Sequence, residues 1–151
     1  MKILMVCLGN ICRSPLAEGI LREKIKKAVL DWEVDSAGTN GFFVGESPHY
    51  LSQRVAKKKG IDISKQKCRK FAAEDFDRFD KIYAMSADVI NEIKLISGQK
   101  YDATKVDLLL NASFPGQNKD IPDPWYGPVA AYFEAFDLID NACEALVKNF
   151  N

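Results

Sequence analysis

Cys7, Arg13 and Asp123 are the residues of this sequence whose types and settings could run a reaction. Five residues separate Cys7 from Arg13 in the segment Cys7-Leu8-Gly9-Asn10-Ile11-Cys12-Arg13-Ser14. A loop of that length can wrap an oxyanion with its backbone N–H groups turned inward, and a helix starting behind it adds partial positive charge. Gly9 and Asn10 are the residue types that most easily take the positive φ angles of such a nest. Arg13 would close the cradle with a planar fork matched to two phosphate oxygens, which a lysine meets only as a point charge. The same surroundings favour the thiolate of Cys7, and a thiolate held beneath a trapped phosphorus atom is a nucleophile. The spacing alone is a weak signal; the apolar run before it and the Ser14-Pro15 helix start after it make it specific.

A phenolic leaving oxygen, whose conjugate acid has a pKa of about 10, gains roughly 10²–10⁴-fold from a general acid. The best-placed acid is Asp123 in Ile121-Pro122-Asp123-Pro124-Trp125-Tyr126-Gly127, pinned between two prolines and beside two aromatic rings. Its carboxylate could then activate the water that hydrolyses a phosphocysteine. No cluster of metal-ligand residues stands out, and the single histidine, His49, cannot anchor a zinc site, so no metal and no cofactor are expected.

These residues need a frame. Lys2 to Cys7 reads as a buried strand, and Ser14, a good N-cap type, with Pro15 as a helix start running to about Leu30. In that helix Leu16, Ile20, Leu21 and Ile25 share a face, with Glu18 and Arg22 largely off it. Further strands are expected at Trp32–Ser36, Lys81–Met85 and Val106–Leu110, and further helices at Pro48–Lys59, Ala87–Ile96 and Val129–Phe150. The segment from Ala112 to Pro128 is rich in Pro, Gly, Asn and Asp, and a loop that long in a compact domain is usually functional. Alternating strands and helices predict an α/β fold, a doubly wound parallel sheet with helices on both faces in three layers. Its site should lie beyond the carboxyl ends of the strands, where Cys7 stands.

The 151 residues suit one domain, 1–151. Twenty-one basic and 21 acidic side chains cancel, which argues against a nucleic-acid partner. Four cysteines are too sparse for a disulfide scaffold and read as reduced thiols of a cytoplasmic protein. The apolar start imitates a signal peptide poorly, and nothing reaches the length of a membrane span, so no membrane association is expected.

The chain resembles the low-molecular-weight protein tyrosine phosphatases over its whole length. The most specific parts are Val6 to Pro15, Asp35-Ser36-Ala37-Gly38-Thr39, Asp80 to Met85, and Asp123 to Gly127. The resemblance implies a four-stranded parallel sheet, with Cys7 as nucleophile, Arg13 as phosphate clamp, and Asp123 as acid and then base. It implies that Asn10 and Ser36 support the loop, that the Ser14 hydroxyl aids departure of Cys7, and that Cys12 can form a reversible disulfide with Cys7. Phe42, Phe43, Trp125 and Tyr126 would line the entrance and stack on an aryl phosphate. Tyrosine-phosphorylated proteins would be the partners, phosphate or other oxyanions would occupy the loop, general aryl acid phosphatase activity would accompany the main one, and the expected assembly is a monomer or weak dimer. The chain departs from many members at His49, Leu51 and Ser86, where they carry Asp, Arg and Asp, and polar support there is in question.

Competing readings stay open at this point. Cys7 could be a plain buried strand residue, Asp123 a turn former, and Phe42 and Phe43 ordinary core. A thiol-dependent arsenate reductase shares this type of loop but needs a further cysteine pair, and Cys68 stands alone. A protein-arginine phosphatase typically has threonine at Ile11. A non-catalytic phosphopeptide-binding module would have no use for Asp123.

Overall fold

The computed structural model describes residues 1–150, so the last residue of the expected 1–151 domain lies outside the described residues. Four parallel strands, β1 (Lys2–Cys7), β2 (Glu33–Gly38), β3 (Lys81–Ala84) and β4 (Val106–Leu108), pair in the order β2-β1-β3-β4. β1 is central, and its apolar run is continuous because both of its faces are covered. Ile3, Met5 and Cys7 join a core with α1 (Arg13–Lys27), α2 (Tyr50–Lys58) and α5 (Val129–Phe150). Leu4 and Val6 join a second core with α3 (Asp75–Arg78) and α4 (Ala87–Ser97). The three-layer expectation holds. From β1 the chain crosses to β2 on one side and then to β3 on the other, which makes the carboxyl end of β1 the topological switch point.

Element boundaries differ from the sequence expectations for local reasons. The first helix begins at Arg13, with Cys12 at its N-cap and no side-chain capping bond, so Ser14 is not the cap but the second helical residue. Pro15 remains tolerable in that first turn, where backbone N–H groups have no intrahelical acceptor. The helix ends at Lys27 because Val29 turns the chain with φ of 54°. β2 runs two residues further than expected, to Gly38, in register with Cys7. α2 starts at Tyr50, because His49 takes the N-cap position and its Nδ1 accepts from the Leu51 amide at 3.1 Å. β4 is short; Leu109–Ala112 tightens into a 3₁₀ turn.

One close approach holds the site end of the sheet. A Cβ on Gly38 would lie 2.8 Å from the backbone N of Asn10 and the carbonyl carbon of Gly9, so only glycine lets the loop after β1 cross the end of β2. We expect Gly38→Ala to displace that loop and lower any activity it supports by on the order of 10–100-fold in kcat/KM. Kinetics beside a melting curve check this, since the displacement should cost much more rate than stability.

Candidate active site

Cys7 ends β1, and the chain wraps from Leu8 to Cys12 before α1 begins. Asn10 takes the expected left-handed conformation, φ 55°, and its backbone N–H donates to Cys7 Sγ at 3.2 Å. Gly9 does not share that conformation. Its requirement is space, because a Cβ there would meet the Phe43 ring at 3.2 Å. Behind the loop, the first turn of α1 carries no acidic residue and no side-chain cap, so its positive end faces the cradle unopposed.

Asn10 is the hub that shapes the loop. Its Oδ1 accepts from the Arg69 amide at 2.9 Å, which fixes the orientation of the side-chain amide. Its Nδ2 then donates to Ser14 Oγ at 2.8 Å and to Ser36 Oγ at 3.0 Å. Ser36 spends its own hydrogen on Glu18 Oε1 at 2.6 Å. Ser14 Oγ stands 3.0 Å from Cys7 Sγ and, when Cys7 is a thiolate and can only accept, gives the sulfur its hydrogen. Two donors, the Asn10 N–H and the Ser14 O–H, thus converge on Cys7, an arrangement that suits a thiolate.

Arg13 is 4% exposed. Its Nη1 donates to the Ile121 carbonyl at 2.9 Å and to Ser86 Oγ at 3.3 Å, and its Nη2 lies 3.7 Å from Asp123 Oδ2. With Nη1 anchored, the Nε/Nη2 edge is the one able to present two parallel donors to an oxyanion. Asp123 has a 44% exposed side chain and accepts the Trp125 amide on Oδ1, so its Oδ2 is directed at Arg13. The segment that carries it is tied to the start of α4: Asp120 Oδ1 accepts from the Ala87 amide at 2.9 Å, and the Ile121 amide donates to Met85 O at 2.8 Å.

Cys7, Arg13 and Asp123 open on one cavity of about 340 Å³, which Phe42, Phe43, Trp125 and Tyr126 also line. Phe43 and Trp125 pack with ring centroids 5.4 Å apart and form a wall; Phe42 and Tyr126 are 84% and 96% exposed at the mouth. Neither phenylalanine is core, which settles the question left by the sequence. Leu8, Gly9, Ile11, Cys12 and Asn40 complete the lining, while Asn10, Ser14 and Ser36 act from behind it.

Burial pushes Cys12 up to about 12 and Cys68 up to about 11, and raises Cys143 as well, so these three are protonated at neutral pH. At Cys12 burial outweighs the hydroxyls of Tyr132 and Ser52 that face its sulfur.

His49 stacks on Tyr132 and meets Trp125 edge to face, both at 5.3 Å. Burial lowers its pKa below the ordinary 6.5. The unfolded chain therefore takes up the proton first as pH falls, and stability present above about 6.5 is lost as pH drops through the folded value. The proton would also compete with the cap, since Nδ1 already accepts from Leu51. Denaturant unfolding at about pH 7.5 and 5.5 should show a smaller loss on acidification in His49→Asn than in the parent chain.

Sequence reasoning missed several supporting residues. Glu18, placed off the apolar face, is 5% exposed and pairs with Arg22 at 2.7 Å while holding Ser36. Cys68 Sγ donates to the Asn10 carbonyl at 2.7 Å. Arg69 joins Asn10 to the fully buried Asp75 through two 3.1 Å bonds. The one available signal was the density of charge in Lys67-Cys68-Arg69-Lys70, which reads as a solvated surface.

Comparison with known proteins fits this geometry. The family described as low molecular weight phosphotyrosine protein phosphatase matches residues 2–151. The chain is 40% identical over 143 residues to the low molecular weight phosphotyrosine protein phosphatase of Schizosaccharomyces pombe, covering 92% of this chain and 90% of that one. It is 36% identical over 150 residues to the low molecular weight protein-tyrosine-phosphatase YfkJ of Bacillus subtilis, covering 98% and 94%. The crystal structure of YfkJ superposes with a TM-score of 0.91 over 99% of this chain and 94% of that one. A Drosophila arginine phosphatase structure, 32% identical, superposes with a TM-score of 0.92 over 100% and 98%.

Proposed function

The chain belongs to the low molecular weight phosphotyrosine protein phosphatase family, and on that premise we propose that it hydrolyses phosphotyrosine in proteins through a phosphocysteine on Cys7. Family members are hydrolases with a cysteine nucleophile, and this chain is a cysteine-dependent phosphatase. The observation that carries the finer reading is the convergence of the Asn10 N–H and Ser14 hydroxyl on Cys7 Sγ, in one cavity with Arg13 and Asp123.

In the first step the Cys7 thiolate attacks phosphorus, the bond to the aryl oxygen breaks, and protonated Asp123 delivers its proton to that oxygen. Backbone N–H groups of the Leu8 to Ser14 loop, other than that of Asn10 on the sulfur, and the free edge of Arg13 hold the equatorial oxygens, where negative charge gathers. In the second step Asp123, now a carboxylate, takes a proton from water as the water attacks phosphorus. The electron pair of the S–P bond returns to Cys7, where the Ser14 hydroxyl receives it with a hydrogen bond. The Phe43 and Trp125 wall favours a flat ring on the substrate, so small aryl phosphates should be hydrolysed as well. The working form is a monomer or weak dimer in a reducing compartment such as the cytoplasm. Among the described residues no helix is long and apolar enough to cross a membrane.

Cys12 lines the same cavity as Cys7 and serves as its redox partner. Peroxide converts the Cys7 thiolate to a sulfenic acid; Cys12 sulfur then attacks it, and the thiol proton leaves with the hydroxyl as water, closing a disulfide that a reductant reopens. Cys12→Ser should keep turnover within about threefold of the parent but fail to recover with dithiothreitol after peroxide. Recovery of that variant to parental levels would remove Cys12 from the role.

A second reading is favoured by the likeness to the arginine phosphatase. Against it stands Ile11, whose branched apolar side chain lines the cavity and offers a guanidinium no acceptor. The test is steady-state hydrolysis in EDTA and reductant, comparing phosphotyrosine, phosphoserine and phosphoarginine as substrates for the parent and Cys7→Ser. Turnover confined to phosphotyrosine and abolished by Cys7→Ser is expected. Preference for phosphoarginine, or no turnover by folded parent protein, would overturn the proposal and leave, in the second case, arsenate reduction or phosphopeptide binding.

A further inference from the structure

A guanidinium as buried as that of Arg13 must find acceptors or forfeit its solvation. On the side away from the phosphate loop its Nη1 finds two, the Ile121 carbonyl and Ser86 Oγ. The second is unusual in what lies behind it. Ser86 occupies the N-cap of α4 with extended backbone, φ −155° and ψ 163°, where a serine normally caps the first turn, yet its hydroxyl makes no capping bond. Asp120 caps instead, accepting from the Ala87 amide. The Ser86 hydroxyl gives its single hydrogen to Asp88 Oδ1. That leaves its lone pairs for Arg13, and the carboxylate behind polarises the oxygen into a stronger acceptor.

We propose that Asp88 is a positioning residue which, through Ser86, holds the rear of the Arg13 guanidinium and so sets the affinity of the phosphate loop for oxyanions. The inference rests on the reading of this loop as a phosphate site. The single hydroxyl between them passes the polarisation of Asp88 on to Arg13 while the carboxylate itself stays at the surface. Asp88 lies in the first turn of α4, where the helix dipole favours a negative charge. Asp123 faces Arg13 too, but on Nη2, and it is committed to the other side of the guanidinium.

The arrangement predicts a particular pattern of coupling, because Ser86 and Asp88 act as links of one chain. Calorimetric titration with inorganic phosphate should show Asp88→Ala and Ser86→Ala each weakening binding by about three- to tenfold. The double variant should be no weaker than the worse single one, since breaking a chain twice costs no more than breaking it once. Asp88 is exposed, so its replacement should lower the melting temperature by no more than a few degrees, the loss of one helix-end charge, while phosphate affinity and kcat/KM fall together. Parental phosphate affinity in Asp88→Ala, or losses that add in the double variant, would overturn the proposal. Phosphate binding needs no turnover, so a failure of the phosphotyrosine reading would appear separately, as a parent chain that binds phosphate and hydrolyses nothing.

Discussion

Arg13→Lys is expected to lower kcat/KM for a phosphotyrosine peptide by about 10²–10³-fold while the protein stays folded. The lysine would keep the charge, so a purely coulombic role for Arg13 would predict a small effect. The structure gives Arg13 a geometric task instead. Nη1 is fixed by the Ile121 carbonyl and Ser86, which turns the opposite edge toward the loop and offers two parallel donors to two oxygens of the transferring group. An ammonium ion has no second edge. It also leaves the Ile121 carbonyl, part of the segment that carries Asp123, without its donor, so phosphate binding and proton delivery should both suffer. Steady-state kinetics with inorganic phosphate as competitive inhibitor would measure both, and a loss below about tenfold would mean that charge alone suffices.

The second large effect concerns the proton. Asp123→Ala should reduce turnover of phosphotyrosine by roughly 10²–10⁴-fold, because the phenoxide must then leave unprotonated. An aryl phosphate with a much more acidic phenol needs little help in leaving, so it should lose far less in the phosphoryl-transfer step. The difference between substrates, not the size of either loss, identifies the acid. Asp123 has a structural duty as well, accepting the Trp125 amide, and an equal loss for both substrates would be the signature of that duty alone.

Both predictions rest on residues legible in the sequence, and the reason is that their signals are local. The spacing of Cys7 and Arg13, the apolar run of β1 and the proline-framed Asp123 each lie within a few residues, where strand period, helix start and turn chemistry can be read directly. The parallel sheet followed from the alternation of elements. Illegible was everything that depends on where side chains point after the chain has folded. Ser14 has the composition of an N-cap but faces Cys7 from inside the first turn, a placement that only the family resemblance implied, and Gly9 is glycine because of Phe43, not because of its backbone angle. Cys68 and Arg69 reach Asn10 from 58 and 59 positions away, a contact that no periodicity encodes. The four-residue helix α3 is too short to register as a pattern, although its Asp75 is the fully buried anchor of Arg69.

Ser86 shows how a departure from the family's usual residue can be absorbed. On sequence grounds the loss of a carboxylate at that position put the polar support of the loop after Met85 in question. In the fold, the hydroxyl of Ser86 is backed by Asp88 two residues on, so a carboxylate is still connected to the guanidinium, one link further away. His49, the second departure, supplies the cap of α2 through Nδ1 and a flat surface for Trp125. For Leu51, half-buried against the main core, no comparable substitute for the family's arginine is evident.

Passage of the phosphoryl group through the sulfur of Cys7 can be tested by catching it there. Asp123→Ala supplied with an aryl phosphate of acidic phenol should load Cys7 quickly and unload it slowly, since the first step no longer needs the acid and the second still needs the base. Rapid quenching, digestion and mass spectrometry should then find one phosphoryl group on the peptide that carries Cys7, and none when Cys7 is also replaced by serine. Turnover without any phosphorylated Cys7, or with the phosphoryl group on another residue, would contradict the account.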